Sequence, residues 1–177
     1  MIGYIEEGKS MGKAVIFDLD GTLLNTLDDL EDSVNHTLNY FKYPKRTKAE
    51  VRSFIGGGAK ALIKKSLPEN VTAEKYEEVL SYFQVYYKKN ADKKTGLYPG
   101  GKKLVNKLSD ENYSIGVVSA KGDIVVKELI ESFLGDKVNE TLGEKEGIKR
   151  KPAPDSILIM MDTLKCKPEE TIYVGDS

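Results

Sequence analysis

The chain has 177 residues, of which 40% are hydrophobic and 31% charged, with a formal net charge of −1. That suffices for one core, or a core with one insertion, and the charge balance points neither to nucleic acid nor to a membrane surface. Cys166 and His36 are single, which excludes an intrachain disulfide, a catalytic histidine pair and a multi-histidine zinc site, and fits a reducing, cytoplasmic setting; no apolar run approaches membrane-spanning length.

Residues 1–10 are charged and lack an apolar signal core, so they read as an N-terminal extension, with Met11 a candidate natural start. The apolar run Val15-Ile16-Phe17 predicts a strand over 14–18 and ends in Asp18 and Asp20, with Gly21 and Thr22 directly behind. Side chains two apart in an extended segment point the same way, so both carboxylates converge just past a buried strand end. Two anions that close repel, and a divalent cation with oxygen ligands is a natural companion. An acidic turn closing a strand, with Asp-Gly as its turn pair, is the plainer alternative for these residues alone.

Residues 27–90 contain no convincing strand. Leu27, Leu30, Val34, Leu38 and Phe41 recur at helical spacing, and Thr47-Lys48-Ala49-Glu50 reads as a capping box. A third helix is expected over 59–67, stopped by Pro68, and a fourth after Thr72, with Tyr76, Val79, Leu80, Phe83 and Tyr87 on its apolar side. The glycines of Phe54-Ile55-Gly56-Gly57-Gly58-Ala59-Lys60 stand before the third helix, where backbone N–H groups can meet an anion, or where a flexible turn is simply needed. His36 reads as a surface or packing histidine. Asn90 to Gly96 reads as a hinge leading back to the core.

From there strands and helices alternate. Strands are expected over 113–118, 137–141 and 171–175, and helices over 100–109, 122–133 and 155–164, which implies a parallel sheet with right-handed crossovers. Ser119 ends one apolar run, and Lys121 reads as a solvated lysine at a helix start. Lys149, Arg150 and Lys151 form a basic run that could be a solvated face, but Pro152 and Pro154 restrict the backbone around Lys151.

Asp18-x-Asp20, then Ser119, then Lys151-Pro152, then Gly175-Asp176 is an ordered set that resembles the four motifs of the haloacid dehalogenase-like phosphohydrolases, over nearly the whole chain. The resemblance is nearest to the phosphoglycolate phosphatase-like subgroup. It implies an α/β fold: a Rossmann-like parallel-sheet core over 11–26 and 94–177, with an all-helical cap inserted at 27–93. It implies Asp18 as nucleophile, Asp20 as general acid and base, Lys151 as a charge-offsetting ammonium and Ser119 as a phosphoryl-binding hydroxyl. It implies a magnesium ion held by Asp18, Asp176 and the main-chain carbonyl of Asp20. In the cap, Gly57, Gly58 and Lys60 become candidates for substrate contact. The expected partner is a small phosphorylated metabolite, with no nucleic acid and no membrane, and the chain a monomer or homodimer. A pyrophosphatase and a hexose phosphate mutase share the fold implied.

Two departures from the family pattern stand out. Ala120 occupies a position where many relatives carry Asn. Relatives also continue past Gly-Asp-Ser to a further acid, strand and helix, whereas here Ser177 is last. The expectations are an apparently truncated core, an exposed strand edge at 171–175 able to pair with a second copy, weakened metal binding and low activity, or a catalytically silent fragment.

Overall fold

β1 (Ala14–Phe17) is buried along its whole length, because it has a parallel neighbour on each side and helices over both faces. The computed structural model describes residues 13–176; the expected N-terminal extension with Met11, and the terminal Ser177, lie outside the described residues. In chain order β1 is followed by β2 (Leu24–Asn25), α1 (Leu27–Tyr40), α2 (Lys48–Phe54), α3 (Gly58–Ser66) and α4 (Ala73–Asn90). Then come β3 (Gly96–Leu97), α5 (Gly101–Asp110), β4 (Ser114–Gly122), α6 (Asp123–Leu134), β5 (Glu140–Glu144), α7 (Asp155–Leu164) and β6 (Thr171–Val174).

The main sheet has the order β5-β4-β1-β6 and is parallel throughout. Alternation along β1 sends Val15 and Phe17 to one face, in a cluster with Val105 of α5 and Val126 and Ile130 of α6. Ile16 goes to the other face, with Val118, Leu142 and Met160 of α7. This is the α/β layering expected of strands that alternate with helices. Within the described residues β6 forms one edge of the sheet, with Ile172 and Val174 exposed.

The residues between β2 and β3 are helical. α1 and α4 pack along each other through Val34, Leu38, Val79 and Phe83, with Val51 of α2 and Ile63 of α3 completing the cluster. Thr47 caps α2 in the expected box: its hydroxyl accepts from Glu50 N at 3.3 Å, and the Glu50 carboxylate accepts from Thr47 N at 2.8 Å. Thr72 caps α4 through Lys75 N at 3.2 Å.

Three features differ from the expectation. β5 begins at Glu140 rather than residue 137, because Gly135–Lys137 winds into a short 3-10 turn. β4 runs on to Gly122, with a register irregularity after Val118, so Ser119 and Lys121 both belong to it. β2 and β3 were not anticipated; a two-residue antiparallel pair, Leu24 with Leu97 and Asn25 with Gly96, is too short to leave a period in sequence.

This pair joins the two chain crossings between core and cap. Beside it the buried Asp29 of α1 accepts hydrogen bonds from Lys94 N at 2.9 and 3.0 Å and from Thr95 N at 2.8 Å. A carboxylate spanning sixty-odd residues in this way holds the return segment onto the start of the cap. Asp29→Ala strands these N–H groups and is expected to lower stability by about 1–3 kcal/mol, read as a lower urea midpoint at constant slope; an unchanged midpoint would contradict the pinning role.

Candidate active site

Parallel strands present their C-terminal ends together, and ligands in open α/β sheets bind outside those ends. Here a cavity of about 1180 Å³ opens between the strand ends and the helical block. Its core wall carries Asp18 and Asp20 beyond β1, Lys121 on β4, Lys151 before α7 and Asp176 beyond β6. Its cap wall includes Arg52, Gly56, Gly58, Lys60 and Tyr87.

Asp18 is buried, and its N–H donates to Val174 O at 2.8 Å, extending the pairing of β1 with β6 to the first carboxylate. Its Oδ1 accepts from Leu19 N at 2.8 Å and its Oδ2 lies 3.0 Å from Lys151 Nζ. The same ammonium donates to Tyr173 Oη at 2.9 Å and to Val118 O at 3.4 Å. Burial works to lower the Lys151 pKa, but the Tyr173 hydroxyl and the Asp18 charge outweigh it and hold the group above the ordinary lysine value.

Asp176 is exposed on the cavity rim, with Thr22 Oγ1 3.4 Å from its Oδ1. Gly21 makes this approach possible. Its φ is +79°, and a Cβ there would lie 2.3 Å from Asp176 Oδ2. Asp18, Asp176 and the carbonyl of Asp20 are all hard oxygen donors, the kind that a magnesium ion takes. Among the described residues no three His, Cys, Asp or Glu side chains stand as a metal cluster, so such a site would rest on two carboxylates and a main-chain carbonyl.

Around Asp20 the structure departs from the sequence reading. Lys121 is no solvated lysine: only 7% of it is exposed, its Nζ lies 3.1 Å from Asp20 Oδ1, and it donates to Tyr87 Oη at 2.6 Å. Burial acts to lower its pKa, but Asp20 and Tyr87 prevail, and the ammonium is held well above the ordinary lysine value. Burial in turn pushes the Tyr87 hydroxyl up. A signal was available: Lys121 stands two residues after Ser119, the same spacing that brings Asp18 and Asp20 to one side. The Thr26 hydroxyl also donates to Asp20 Oδ1, in a short contact. Ser119 is buried behind Asp20, its hydroxyl 3.4 Å from Asp20 Oδ2, and it accepts from Lys121 N at 3.1 Å.

The glycine stretch divides. Gly56 and Gly58 line the cavity and Gly57 does not. Gly58, at φ +72°, lies so near the core that a Cβ would meet Ala120 O and Glu144 Oε2 at 2.7 Å, so α3 begins in contact with β4. Lys60 is exposed on the lining, while its carbonyl accepts from Tyr76 Oη at 3.0 Å. Arg52, which the sequence reading passed over, lines the same wall. His36 lies elsewhere, stacked on Tyr86 at 3.8 Å between ring centres and 3.0 Å from Tyr82 Oη, beside a separate shallow hollow.

The family model for haloacid dehalogenase-like hydrolases matches residues 15–177. The chain belongs to that family. Curated relatives include a phosphoglycolate phosphatase of Mannheimia succiniciproducens, 32% identical over 95% of this chain and 79% of its own length. Another, from Haemophilus influenzae, is 33% identical over 93% of this chain and 77% of its own length. A solved Lactobacillus delbrueckii subsp. bulgaricus structure, assigned as a phosphoglycolate phosphatase, superposes with a TM-score of 0.86 at 30% identity, covering 95% of this chain and 80% of that one. This haloacid dehalogenase-like hydrolase is thus a phosphoric monoester hydrolase by class. Among its described residues no helix is long and apolar enough to cross a membrane.

Gly21→Ala forces a side chain into the position of the Asp176 carboxylate at a backbone angle that costs about 1–2 kcal/mol. The expected outcome is a loss of stability of that size, by urea unfolding, with a far larger proportional loss of phosphatase rate. Wild-type rate and stability would contradict the tight approach of Gly21 to Asp176.

Proposed function

We propose that this hydrolase is a magnesium-dependent phosphatase of a small metabolite that carries a second anionic group, phosphoglycolate or a close analogue. The observation that carries the reading is the arrangement of opposite walls. Asp18 and Lys151, 3.0 Å apart, stand at the strand ends, while Arg52 and Lys60 on the cap wall have no carboxylate partner among the described residues. The other cavity cations are paired: Lys88 with Glu128, Lys145 with Asp123 and Arg150 with Glu144. Two unpaired cations across from the nucleophile suit a phosphate ester with a carboxylate at its far end. The relatives named phosphoglycolate phosphatase support the same choice.

In this reading an Asp18 carboxylate oxygen attacks phosphorus. The bond from phosphorus to the leaving oxygen breaks, and Asp20 supplies the proton that oxygen takes up. A water then attacks the aspartyl-phosphate, Asp20 takes its proton, and the bond from Asp18 to phosphorus breaks to release inorganic phosphate and the free carboxylate. Lys151 offsets charge on Asp18 and on the equatorial oxygens. With Asp20 ionised, three carboxylates at the strand ends face two ammoniums, Lys121 and Lys151, a negative cluster that repels a phosphate monoester. Bound magnesium, held by Asp18, Asp176 and the Asp20 carbonyl, would reverse that sign and stabilise the phosphoryl oxygens. The helical block would exclude water over the site.

His36 is engaged with Tyr82 and Tyr86 away from the cavity, the place of a packing histidine.

Release of phosphate from 2-phosphoglycolate and from p-nitrophenyl phosphate, each with and without magnesium, tests the reading. Metal-dependent turnover is expected, with activity abolished in Asp18→Asn; no turnover above that control would replace it with a catalytically silent chain. Arg52→Ala is expected to raise KM for 2-phosphoglycolate about tenfold more than for p-nitrophenyl phosphate, as loss of one charge-assisted hydrogen bond predicts. Equal changes for both substrates would remove Arg52 from carboxylate recognition.

A further inference from the structure

Lys121 is the most deeply buried lysine at the site, and neither nucleophilic attack nor the metal set uses it. A buried ammonium persists only when its charge and its donors are satisfied. Its two partners differ in kind. Asp20 is an anion 3.1 Å away; Tyr87 is a neutral hydroxyl at 2.6 Å whose ring lies 4.5 Å from Nζ. A neutral second partner completes the hydrogen bonding without cancelling the charge, so the lysine's charge is directed at Asp20.

The partners also come from different parts of the fold. Asp20 follows β1, Lys121 is the last residue but one of β4, and Tyr87 lies in the last turns of α4, stacked on Phe83 at 5.6 Å. Asp20 is held unevenly. Its Oδ1 takes both Lys121 and Thr26, while the one partner of Oδ2 among the described residues is the Ser119 hydroxyl at 3.4 Å.

We propose that Lys121 and Tyr87 are positioning residues that clamp Oδ1 of Asp20, reserve Oδ2 for proton exchange, and tie this orientation to the seating of α4 against the core. The proposal rests on the reading of Asp20 as the general acid and base. With α4 seated, Tyr87 keeps Lys121 over Oδ1 and the carboxylate has one orientation. With α4 displaced, the ammonium loses a partner and the carboxylate its restraint.

The test compares two leaving groups. Nitrophenolate departs from p-nitrophenyl phosphate without needing a proton, whereas the alkoxide of 2-phosphoglycolate needs one in the first step. Lys121→Met is expected to reduce kcat for 2-phosphoglycolate about a hundredfold more than the burst rate of nitrophenolate release, the size of a general-acid contribution, with KM little changed. Because the second step also uses Asp20, p-nitrophenyl phosphate should show a burst followed by slow turnover in this variant. Tyr87→Phe deletes one oxygen from a ring that stays packed, and should shift the same ratio in the same direction by about three- to tenfold, as the loss of a single hydrogen bond predicts. Lys121→Arg, which keeps the charge, should recover part of the ratio.

Equal losses on both substrates in Tyr87→Phe and Lys121→Met, following the fall in thermal midpoint, would reduce the pair to a structural plug and overturn the clamp alone. If Lys121→Met does not fold, Tyr87→Phe decides by itself. A wild-type chain inactive on both substrates would overturn the phosphatase reading, and the clamp with it.

Discussion

The site is governed by the cost of bringing like charges together. Parallel pairing of β1 with β6 places Asp18, Asp20 and Asp176 at neighbouring strand ends, where carboxylates repel. The surrounding chain answers that repulsion. Lys151 reaches Asp18 from the loop before α7, Lys121 reaches Asp20 from β4, and each ammonium is braced by a tyrosine hydroxyl, Tyr173 or Tyr87. Removing Lys151 would break its ion pair with the buried Asp18, and breaking a buried pair costs about 3–5 kcal/mol. Stability and chemistry therefore draw on the same four charges.

The helical block is attached to this charged centre through few contacts, each with a distinct physical basis. β2 and β3 join the two chain crossings by backbone pairing, and Asp29 accepts from the N–H groups of Lys94 and Thr95, just before β3. Gly58 lets α3 begin against Ala120. Tyr87 meets Lys121 inside the site. The first two contacts lie at the crossings and the last two at the cavity. Motion of the block about the crossings would therefore change the cavity contacts most, the behaviour expected of a cover over a reaction that excludes water.

Much of this was legible along the chain. The apolar run before Asp18, the capping box at Thr47 and Glu50, and the alternation of strands and helices after residue 100 are local signals, and local backbone preference sets them. Lys151 was legible because Pro152 follows it directly and the Lys-Pro pair matches the third motif of the family. β5 was displaced by three residues, because Gly135 could end α6 in more than one way and the 3-10 turn that follows carries no period. β2 and β3 left no trace, since two residues exist as strands only once their partner is beside them.

Lys121 shows where the boundary falls. By itself it is a lysine next to a glycine, and water is the default surrounding for such a residue. Its burial depends on Tyr87, 34 residues earlier, and on Asp20, 101 residues earlier, converging on one ammonium. Arg52 is similar: whether it is paired or left facing the cavity depends on which carboxylates fold beside it. The sequence by itself determined the order of elements, the acid pair after the first strand and the residue types available for phosphoryl transfer, because spacing and backbone propensity act over a few residues. Only the tertiary structure decided which lysines are buried, which cap cations remain unpaired and which face of Asp20 stays open. Burial and charge pairing are properties of segments brought together from far apart, and no local pattern encodes them.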